Sequence, residues 1–549
     1  MPAKILRVLQ QYNNGWMWVS LSAAAILLLP IFAILLELFG KPSENWRHIT
    51  QYMIGDYVLQ SVWLVVLTGM VTLIIGTTLA WLIAAYDFPL RRMLRWALVL
   101  PLAVPPYIAA YTYANMFSYT GTIQVTLRKL GITADQGWFD IMSLPGAVFI
   151  FSFFLYPYVY MITRAYLERQ SGSYIENARL FGRKPAAVFF HIALPLSRPA
   201  IAGGLTLVAF EVLSDYGVVN YYGIQTFTTA IFRTWFGMYD IDSATRLAAW
   251  FLVVIIGIIL LERIMRGRRA FSATTSRGHA LTRLKLRGWA GWAAALYCGV
   301  IVSIGCIIPV VQLIVWARWT FSDVLANADF VRLTFNSVSV AAMATVLIVI
   351  LSLIVANTAR MLNNAVGSGL ARLITTGYSV PGAIIAIGIL SLFIQLDHWL
   401  APMYRQLGWG NSPLVLSMSL AMLVTAYVIR FMATGYSAVE AGMEKVGRSY
   451  WEASRQLGAG LTRTFVRIDL PLLKGSLLTG IILTFVEVVK ELPLALLLRP
   501  FNFDTLATKA YQYASDERIY AAALPSLLVI GVSLLSIIML HYAGKDAVQ

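Results

Sequence analysis

Cysteine, histidine and charged residues are all scarce in this sequence. Its 549 residues include 2 Cys and 5 His, and Asp, Glu, Lys and Arg together make up 12%. Cys298 and Cys306 lie in one apolar segment, so we interpret them as small core residues rather than a disulfide or a metal site. The scattered histidines form no HExxH pattern and no Cys/His cluster, which argues against an integral membrane enzyme.

The chain also lacks a GxxxxGK[ST] phosphate cradle, so we do not expect it to bind ATP in that manner. Hydrophobic residues make up 59% of the chain and the mean hydropathy is +0.72, which is typical of a polytopic membrane protein. The run from Trp16 to Leu38 is too long for the apolar core of a cleaved signal peptide. We interpret this run as a retained first span.

The apolar segments predict an all-α integral membrane protein with about 12 transmembrane helices. The predicted spans are 16–38, 57–86, 96–117, 141–163, 199–219, 245–261, 289–316, 335–357, 373–396, 413–432, 475–498 and 521–541. Most Lys and Arg fall in the loops on the side of the amino terminus, and only Lys490 is placed within a span. The positive-inside rule therefore predicts that both termini are cytoplasmic. The net charge of +16 belongs to these loops and not to one nucleic-acid-binding face.

One stretch of the chain occurs twice. It reads YIENARLFGRKPAAVFFHIALP in the first copy and YWEASRQLGAGLTRTFVRIDLP in the second, offset by 276 residues, the distance from Glu176 to Glu452. Each copy predicts two short helices that meet at a glycine, Gly182 or Gly458, in the left-handed conformation found past helix ends. The Leu-Pro pair near the end of each copy predicts a helix break just before the next span.

The duplication continues on both sides of this stretch at the same offset. The aligned pairs are Ser61 with Ser337, Pro105 with Pro381, Gly204 with Gly480, Glu211 with Glu487, Phe227 with Phe503, Thr229 with Thr505 and Asp240 with Asp516. An even number of spans between the copies predicts two parallel six-helix repeats related by an axis along the membrane normal. We expect a first half at 1–262, a basic, solvated cytoplasmic linker at 263–288 near anionic lipid headgroups, and a second half at 289–549.

Acidic residues inside predicted spans are candidate functional residues, because the bilayer disfavours charge. Glu211 and Asp215 lie in the fifth span and Glu487 and Glu491 in the eleventh, and a spacing of four predicts that each pair shares one helix face. We interpret these residues as lining a translocation pathway without a stable metal site, and their oxygen atoms would suit a hard cation. The alternative is structural: Lys490 pairs with a neighbouring carboxylate, and Asp215 and Glu491 cap helix breaks.

Prolines interrupt two predicted spans. Pro101, Pro105 and Pro106 lie in the third span, and Pro381 lies in the ninth. Proline removes a backbone hydrogen bond, and membrane helices tolerate such breaks inside protein or beside a cavity. We predict that Pro105 and Pro381 mark bends at a gate, with ordinary packing kinks as the alternative.

The repeated stretch resembles the cytoplasmic signature of the membrane subunits of binding-protein-dependent ABC importers, whose pattern is Glu, a small residue, Ala or Ser, then Gly and Ile-x-Leu-Pro. Asn177 departs from this pattern by replacing the small residue. The resemblance implies the type I importer permease fold and an ATPase-coupling role for the two loops. The residues that match it are Glu176, Ala178, Gly182, Ile192, Pro195, Glu452, Ala453, Gly458, Ile468 and Pro471.

Longer stretches, 100–111, 211–240, 378–388 and 487–517, resemble the fused permeases of ferric iron ABC importers. The resemblance implies one copy of this chain per transporter in a bacterial inner membrane. It also implies an external solute-binding protein and two copies of a cytoplasmic ATPase subunit, which hold the ATP and magnesium, so that this chain has no cofactor of its own. Thiamine, phosphonate and polyamine are alternative cargoes. A gradient-driven secondary transporter is an alternative class, but it leaves the paired loops unexplained.

Overall fold

The computed structural model describes residues 15–40, 43–132, 136–170, 172–266, 281–325, 328–362, 364–375, 377, 380–408 and 414–546. Helices dominate this part of the chain. The first half contains α1 (Gly15–Leu36), α2 (Glu44–Tyr52), α3 (Ile54–Ala85), β1 (Tyr86–Asp87), α4 (Arg91–Ala97), α5 (Pro106–Phe117), α6 (Thr122–Lys129), α7 (Leu144–Gln170), α8 (Gly172–Leu180), α9 (Pro185–Val188), α10 (Leu194–Leu196), α11 (Arg198–Ser214), α12 (Gly217–Tyr221), α13 (Phe227–Phe232) and α14 (Ile241–Arg266).

The second half has a similar order of helices. It contains β2 (Leu284–Lys285), α15 (Trp289–Val302), α16 (Ile308–Leu325), α17 (Ala328–Leu362), α18 (Ala365–Thr375), α19 (Gly382–Gln406), α20 (Leu420–Val446), α21 (Ser449–Gln456), α22 (Leu461–Thr464), α23 (Leu470–Leu472), α24 (Lys474–Lys490), α25 (Pro493–Leu498), α26 (Leu506–Ser515) and α27 (Ile519–Asp546). Short 3-10 turns lie at Glu37–Phe39, Leu100–Ala103 and Gln136–Phe139, and π turns at Phe189–Ala193, Arg233–Gly237, Ser303–Ile307 and Phe465–Asp469.

The prediction of about 12 spans is confirmed. Among the described residues, nine helices are long and apolar enough to cross a membrane, and three bent pairs raise the number to as many as 12. The first bent pair is the third predicted span, which turns by 89° beside Pro105. The other two are the fifth and eleventh spans, which turn by 70° and 75° where each repeated stretch meets the span that follows it.

Several predicted span boundaries are wrong. The ninth span, predicted at 373–396, is the helix α19 at Gly382–Gln406, and the fifth, predicted at 199–219, ends at Ser214 before the separate helix α12.

The tenth and eleventh spans differ as well. The tenth span was placed at 413–432, but the helix α20 runs from Leu420 to Val446 and so matches α7 at the offset of 276. Its last turns are polar and continue as a helix because the backbone hydrogen bonds persist after the apolar run ends. The eleventh span was placed at 475–498, but α24 ends at Lys490 and a separate helix, α25, follows.

The repeat register changes after the acidic segments. Thr226 with Thr229 forms a capping box at the start of α13, and Thr505 with Thr508 forms the same box at the start of α26. The offset from Thr226 to Thr505 is 279, so the second half has gained three residues between α25 and α26. The predicted pairings of Phe227 with Phe503, Thr229 with Thr505 and Asp240 with Asp516 are therefore wrong. The capping boxes mark equivalent helix starts in the two halves, so they reveal a register of the repeat that residue identities alone do not show.

The first span of each half packs against the opposite half. The hydroxyl groups of Ser20 on α1 and Thr358 on α17 lie 2.8 Å apart, and the Tyr113 hydroxyl of α5 donates to the carbonyl of Ile304 at 2.6 Å. These hydrogen bonds join the halves within the apolar core, where each polar group needs a partner. The two halves therefore form one interlocked bundle around a central interface.

The end of the predicted linker is part of the fold. Its middle, 267–280, lies outside the described residues. Beyond it, β2 pairs in parallel with β1, Leu286 N–H donates to Asp87 O at 2.9 Å, and Leu281 is buried. Most residues of this end are exposed, as expected of a solvated linker, but it is also attached to the first half because it pairs the backbone of β1.

Candidate functional site

Each repeated stretch folds into an elbow of two short helices. We name the first elbow for α8 to α10 and the second for α21 to α23. As the sequence predicts, Gly182 has a φ of +69° and Gly458 a φ of +82°. The bonds from Gly182 N–H to Arg179 O, 3.0 Å, and from Arg183 N–H to Ala178 O, 3.2 Å, close a Schellman motif.

The second elbow closes in the same way. Gly458 N–H donates to Arg455 O at 3.1 Å, and Ala459 N–H donates to Ser454 O at 3.2 Å. In both elbows, therefore, the first short helix ends with the same backbone geometry. The second short helix then starts after a glycine in the same left-handed conformation. The helix end predicted at the glycine is therefore present in both copies of the repeated stretch.

The Leu-Pro pairs do not break the helix, contrary to prediction. Leu194 has right-handed helical dihedral angles (φ −64°, ψ −48°), and its N–H donates to Phe189 O across a π turn. The second elbow has the same wide turn before Pro471. A π turn widens the helix, which lets the chain pass a proline that cannot donate a hydrogen bond. The sharp bends come slightly later, at Ser197 and Leu473, between each elbow and the span that follows it.

Large apolar side chains stand at the tip of each elbow, immediately before the glycine. Phe181 is 86% exposed and Leu457 is 88% exposed, and they occupy homologous positions. Sequence reasoning missed both, although their place beside an αL glycine at a helix end would have indicated an outward orientation. Among the residues predicted from the motif, Ala178 is buried, Ile192 and Ile468 are half-buried, and Glu452 and Ala453 are exposed. Exposed apolar side chains on a polar loop are typical of a surface that a partner covers.

The linker end holds the first elbow. The Glu176 carboxylate accepts hydrogen bonds from both the backbone N–H, 2.9 Å, and the hydroxyl of Thr282. Arg179 donates to the Thr282 carbonyl at 2.8 Å. Burial lowers the pKa of the Arg179 guanidinium, and the nearby Tyr86 and Glu176 oppose that shift. Glu176, a residue of the predicted coupling motif, therefore binds the linker of the same chain.

Different contacts hold the second elbow. The Ser454 and Thr464 hydroxyls lie 2.9 Å apart in the buried angle of the elbow, and Trp16 Nε1 donates to Thr462 Oγ1 at 3.1 Å. Arg360 at the end of α17 forms an ion pair of 3.1 Å with Asp469, whose side chain is fully buried. Since α1 belongs to the first half, the second elbow is also fastened by the opposite half.

The four predicted pathway acids meet in one cavity between the halves. The cavity encloses about 100 Å³, room for several water molecules. Its charged lining residues are Glu211, Asp215, Glu487, Glu491, Arg430 and Lys490. Pro105, Pro106 and Tyr107 close one side of it. The structure therefore brings together residues that lie 276 positions apart in the sequence.

The acids of each pair do not share a helix face, contrary to prediction. The helix α11 ends at Ser214 and α24 ends at Lys490, so Asp215 and Glu491 stand at the breaks in extended conformation. Asp215 Oδ1 accepts from Val218 N–H at 2.7 Å, and Glu491 Oε1 accepts from Leu494 N–H at 3.3 Å. These two carboxylates cap the short helices α12 and α25, which was the alternative interpretation.

Two basic side chains enter this acidic cavity. Lys490 Nζ lies 2.7 Å from Glu487 Oε1, as the alternative interpretation anticipated. Arg430, in the middle of α20, is buried and donates to the carbonyl of Val380. Sequence reasoning missed Arg430 as a charge within a span, so the statement that Lys490 stood alone there is wrong. A single Arg in an apolar helix is the signal that would have identified it.

The two predicted gate prolines occupy equivalent places. Pro105 and Pro381 each precede a helix start, with φ of −58° and −53° and ψ of 138° and 142°. Pro105 lines the cavity directly, whereas Pro381 follows Val380, whose carbonyl accepts from Arg430. Both prolines therefore mark breaks at the level of the cavity, and their part in gating stays a prediction.

The acids of the cavity are not arranged as a metal centre. Among the residues that the structure describes, no group of three or more His, Cys, Asp or Glu is placed to hold a metal ion. Two of the four carboxylates are engaged by backbone N–H groups and a third by Lys490. The cavity is a polar space between two broken helices, and its role as a translocation pathway stays a prediction.

Comparison with known proteins agrees with this geometry. The family model described as "Binding-protein-dependent transport system inner membrane component" matches residues 76–267 and 348–547. The Fe(3+)-transport system permease protein FbpB 2 of Haemophilus influenzae is 24% identical over 467 residues, which cover 83% of each chain. The sulfate transport system permease proteins CysW and CysT of Escherichia coli are 29% and 27% identical, and the matches cover 36% and 35% of this chain and 67% and 68% of theirs.

Proposed function

We propose that this chain, which belongs to the family of binding-protein-dependent transport inner membrane components, is the two-half permease of an ATP-driven importer. The single observation that supports it most is the pair of elbows with matched αL glycines and exposed apolar tips. One chain supplies both elbows, so one copy per transporter suffices. The halves at 1–262 and 289–549 act as the two moving bodies, joined by the basic linker at 263–288.

The elbows are the docking points for two copies of a cytoplasmic ATPase subunit. Those subunits hold the ATP and magnesium, and this chain contributes no catalytic residue and no cofactor. Phe181 and Leu457 enter a cleft on each subunit, and the short helices transmit its closure to α11 and α24. Because each elbow also contacts the opposite half or the linker, force on one elbow reaches both halves. Both chain termini are cytoplasmic, in a bacterial inner membrane, and a solute-binding protein delivers cargo on the other side.

Ferric iron is the cargo that best fits the passage. The named ferric relative covers most of this chain, whereas the sulfate relatives match about a third of it. Four carboxylates against two basic groups line the cavity, which gives it an excess of oxygen ligands with negative formal charge. Oxygen donors suit a hard cation and oppose an oxyanion. Sulfate is the second candidate, since Arg430 and Lys490 could contact an anion.

Transport by sealed vesicles tests the mechanism. Vesicles that contain this chain, its ATPase subunits and the binding protein are supplied with radioactive ferric iron, with and without ATP. We expect uptake that requires ATP and both partners and that ionophores leave unchanged. Uptake that follows an ion gradient and ignores ATP would instead support the secondary transporter.

A further inference from the structure

Four arginine side chains gather around one carboxylate at the end of the first half that carries the elbow. We name this group the basic cluster; it consists of Arg91, Arg95, Arg164 and Arg283 around Glu168. Arg95 Nη2 lies 2.8 Å from Glu168 Oε2, while Arg91 and Arg283 stay at 4.0 and 3.9 Å from Oε1. Arg164 Nη1 donates to the Arg95 carbonyl at 3.1 Å. One carboxylate therefore faces four guanidinium groups.

A nearby acid does not remove this excess of positive charge. Asp87 on β1 interacts electrostatically with Arg91, but it is exposed to solvent, and two positive charges remain even when it is counted. A guanidinium group cannot relieve the repulsion by losing its proton. Charges that are partly buried are usually paired. Within the described part of the chain, the basic cluster therefore has fewer carboxylates than its charge requires.

The basic cluster also has donor atoms to spare. Arg91 is used within the protein, because its Nε and Nη2 donate to the Ile83 carbonyl at 2.9 and 2.6 Å. Arg164 donates from Nη1 to the Tyr160 hydroxyl at 2.9 Å, but its Nε has no hydrogen-bond partner among the described residues. The Arg283 guanidinium is 40% exposed and too far from Glu168 for a hydrogen bond. Arg164 and Arg283 can therefore donate to an additional anion.

The second half shows that the fold does not need these charges. Its helices α18 and α20 pack together as the homologues of α4 and α7. At the offset of 276, neutral or acidic residues replace the arginines: Gly367 for Arg91, Ala371 for Arg95 and Glu440 for Arg164, with Glu444 in the place of Glu168. Packing alone therefore does not account for the basic cluster. Attachment of the linker does not account for it either, because only Arg283 belongs to the linker.

Apolar side chains beside the basic cluster indicate its depth in the membrane. Met93 and Trp96 on α4 are exposed, and α4 packs against α15, whose first turn carries the exposed Trp289 and Trp292. Tryptophan side chains are enriched at the boundary between lipid headgroups and acyl chains. The basic cluster therefore lies at the level of the headgroups, and the orientation in the proposed function puts it on the cytoplasmic side.

We propose that the basic cluster binds the phosphate group of an anionic phospholipid from the cytoplasmic leaflet. Arg164 and Arg283 donate to the phosphate oxygens, since planar guanidinium groups match phosphate in both geometry and charge. The acyl chains lie along the exposed tryptophans of α15. The bound lipid thereby fastens the end of the linker to α7. The inference takes only the orientation of the chain from the proposed function.

Lipid binding to the purified full-length chain tests this site. The chain is titrated with cardiolipin in an uncharged detergent, and bound lipid is counted by native mass spectrometry. We expect one tightly bound cardiolipin. The double variant Arg164→Gln with Arg283→Gln should bind it at least about tenfold more weakly, because each basic residue near an anionic lipid contributes about fivefold. Arg283→Gln alone, on the exposed linker end, should weaken binding about fivefold without a risk to folding.

The matched control removes the same charge from the other half. Lys445 and Lys474 are exposed at the same end of the second half, and Lys445→Gln with Lys474→Gln should bind cardiolipin within about twofold of the unchanged chain. Equal losses in the two double variants, or no loss in Arg283→Gln, would overturn the inference.

Two further probes identify the source of the phosphate. Phosphatidylcholine, whose headgroup carries no net charge, should bind at least about tenfold more weakly than cardiolipin. Inorganic phosphate at the same concentration as cardiolipin should not displace it. Equal binding of phosphatidylcholine, or displacement by inorganic phosphate, would overturn an anionic lipid as the ligand. These measurements involve no transport, so a failure here leaves the importer role standing.

Discussion

The two elbows have the same backbone and different fastenings. Both stop a helix at an αL glycine, pass a proline through a π turn and bend before the next span. In the first elbow the apolar side chains of Ala178 and Val188 are buried, and the linker holds this elbow through Thr282. The second is closed by the Ser454 and Thr464 hydroxyls and is held by the Arg360–Asp469 ion pair. The comparison shows that the two elbows share one backbone geometry although different contacts hold them in place.

The largest expected effect concerns the ion pair that the first elbow lacks. Asp469→Ala leaves the buried Arg360 guanidinium uncompensated, which costs about 3–5 kcal/mol in the free energy of unfolding. Thermal unfolding in detergent and membrane abundance measure this loss. The first half carries Ala84 and Ala193 at the matching positions.

The matched control rebuilds that apolar arrangement. The double variant Arg360→Ala with Asp469→Ala is expected to recover most of the stability, because no charge is left buried. A double variant as unstable as Asp469→Ala alone would show that the pair matters for more than charge balance.

The next effect tests what the elbows share. Gly458→Val forces a β-branched side chain into φ of +82°, although the site has open space around it. The strain costs about 1–3 kcal/mol and should tilt the second short helix, so that uptake is lost while ATP hydrolysis by the partner subunits continues. Uptake and hydrolysis measured on one membrane preparation reveal this uncoupling, and Gly182→Val should reproduce it.

Asparagine is the control for the glycine positions, because it adopts the left-handed conformation far more readily than valine. Gly458→Asn should therefore keep uptake near the level of the unchanged chain. Normal uptake by Gly458→Val at normal abundance would count against a coupling role for the elbow angle.

Loss of the contact between the linker and the first elbow is expected to have a smaller effect, confined to the first elbow. Thr282→Val removes the hydroxyl that donates to Glu176 and leaves the backbone bond in place. A hydrogen bond to a charged group contributes about 1.5–3 kcal/mol, reduced here by partial exposure. Hydrogen exchange should speed up in the first elbow and stay unchanged in the second. Equal changes in both elbows would indicate a global loss of stability.

The smallest effect is expected when the polar contact inside the second elbow is replaced by the apolar residues of the first elbow. Ser454→Ala with Thr464→Val gives the second elbow the Ala and Val of the first. Because both partners of a hydrogen bond are replaced together, we expect a change in unfolding free energy within about 1 kcal/mol and uptake close to normal. A large loss of uptake would show that the two closures are not interchangeable.

Local signals in the sequence predicted the elbows well. A glycine at a helix end has a strong conformational preference, and two copies in one register fixed the position of both Gly182 and Gly458. The position of the cavity also followed, because intramembrane acids at repeated positions must meet near an axis between parallel halves. These features depend on residues close in sequence or on exact repetition.

The fastenings could not be predicted, because they join residues remote in sequence and without repeats. The Thr282 contact with Glu176 and the Trp16 contact with Thr462 connect segments whose proximity only the assembled bundle determines. The π turns were missed because a Leu-Pro pair predicts a break when backbone adjustment is ignored. The register change at Thr505 was missed because, after the three-residue insertion, residues of the same type still align by chance at the offset of 276.

The most direct test of the account is cross-linking from the elbow tips. Single cysteines placed at Phe181 and Leu457, in a chain whose two native cysteines are buried, are treated with a short cross-linker in membranes that hold the whole transporter. The account predicts that each tip cross-links to an ATPase subunit and that reagents confined to the outer side of the membrane do not reach it. Labelling of either tip from that outer side, or a tip that never cross-links to the ATPase, would contradict the coupling role of the elbows.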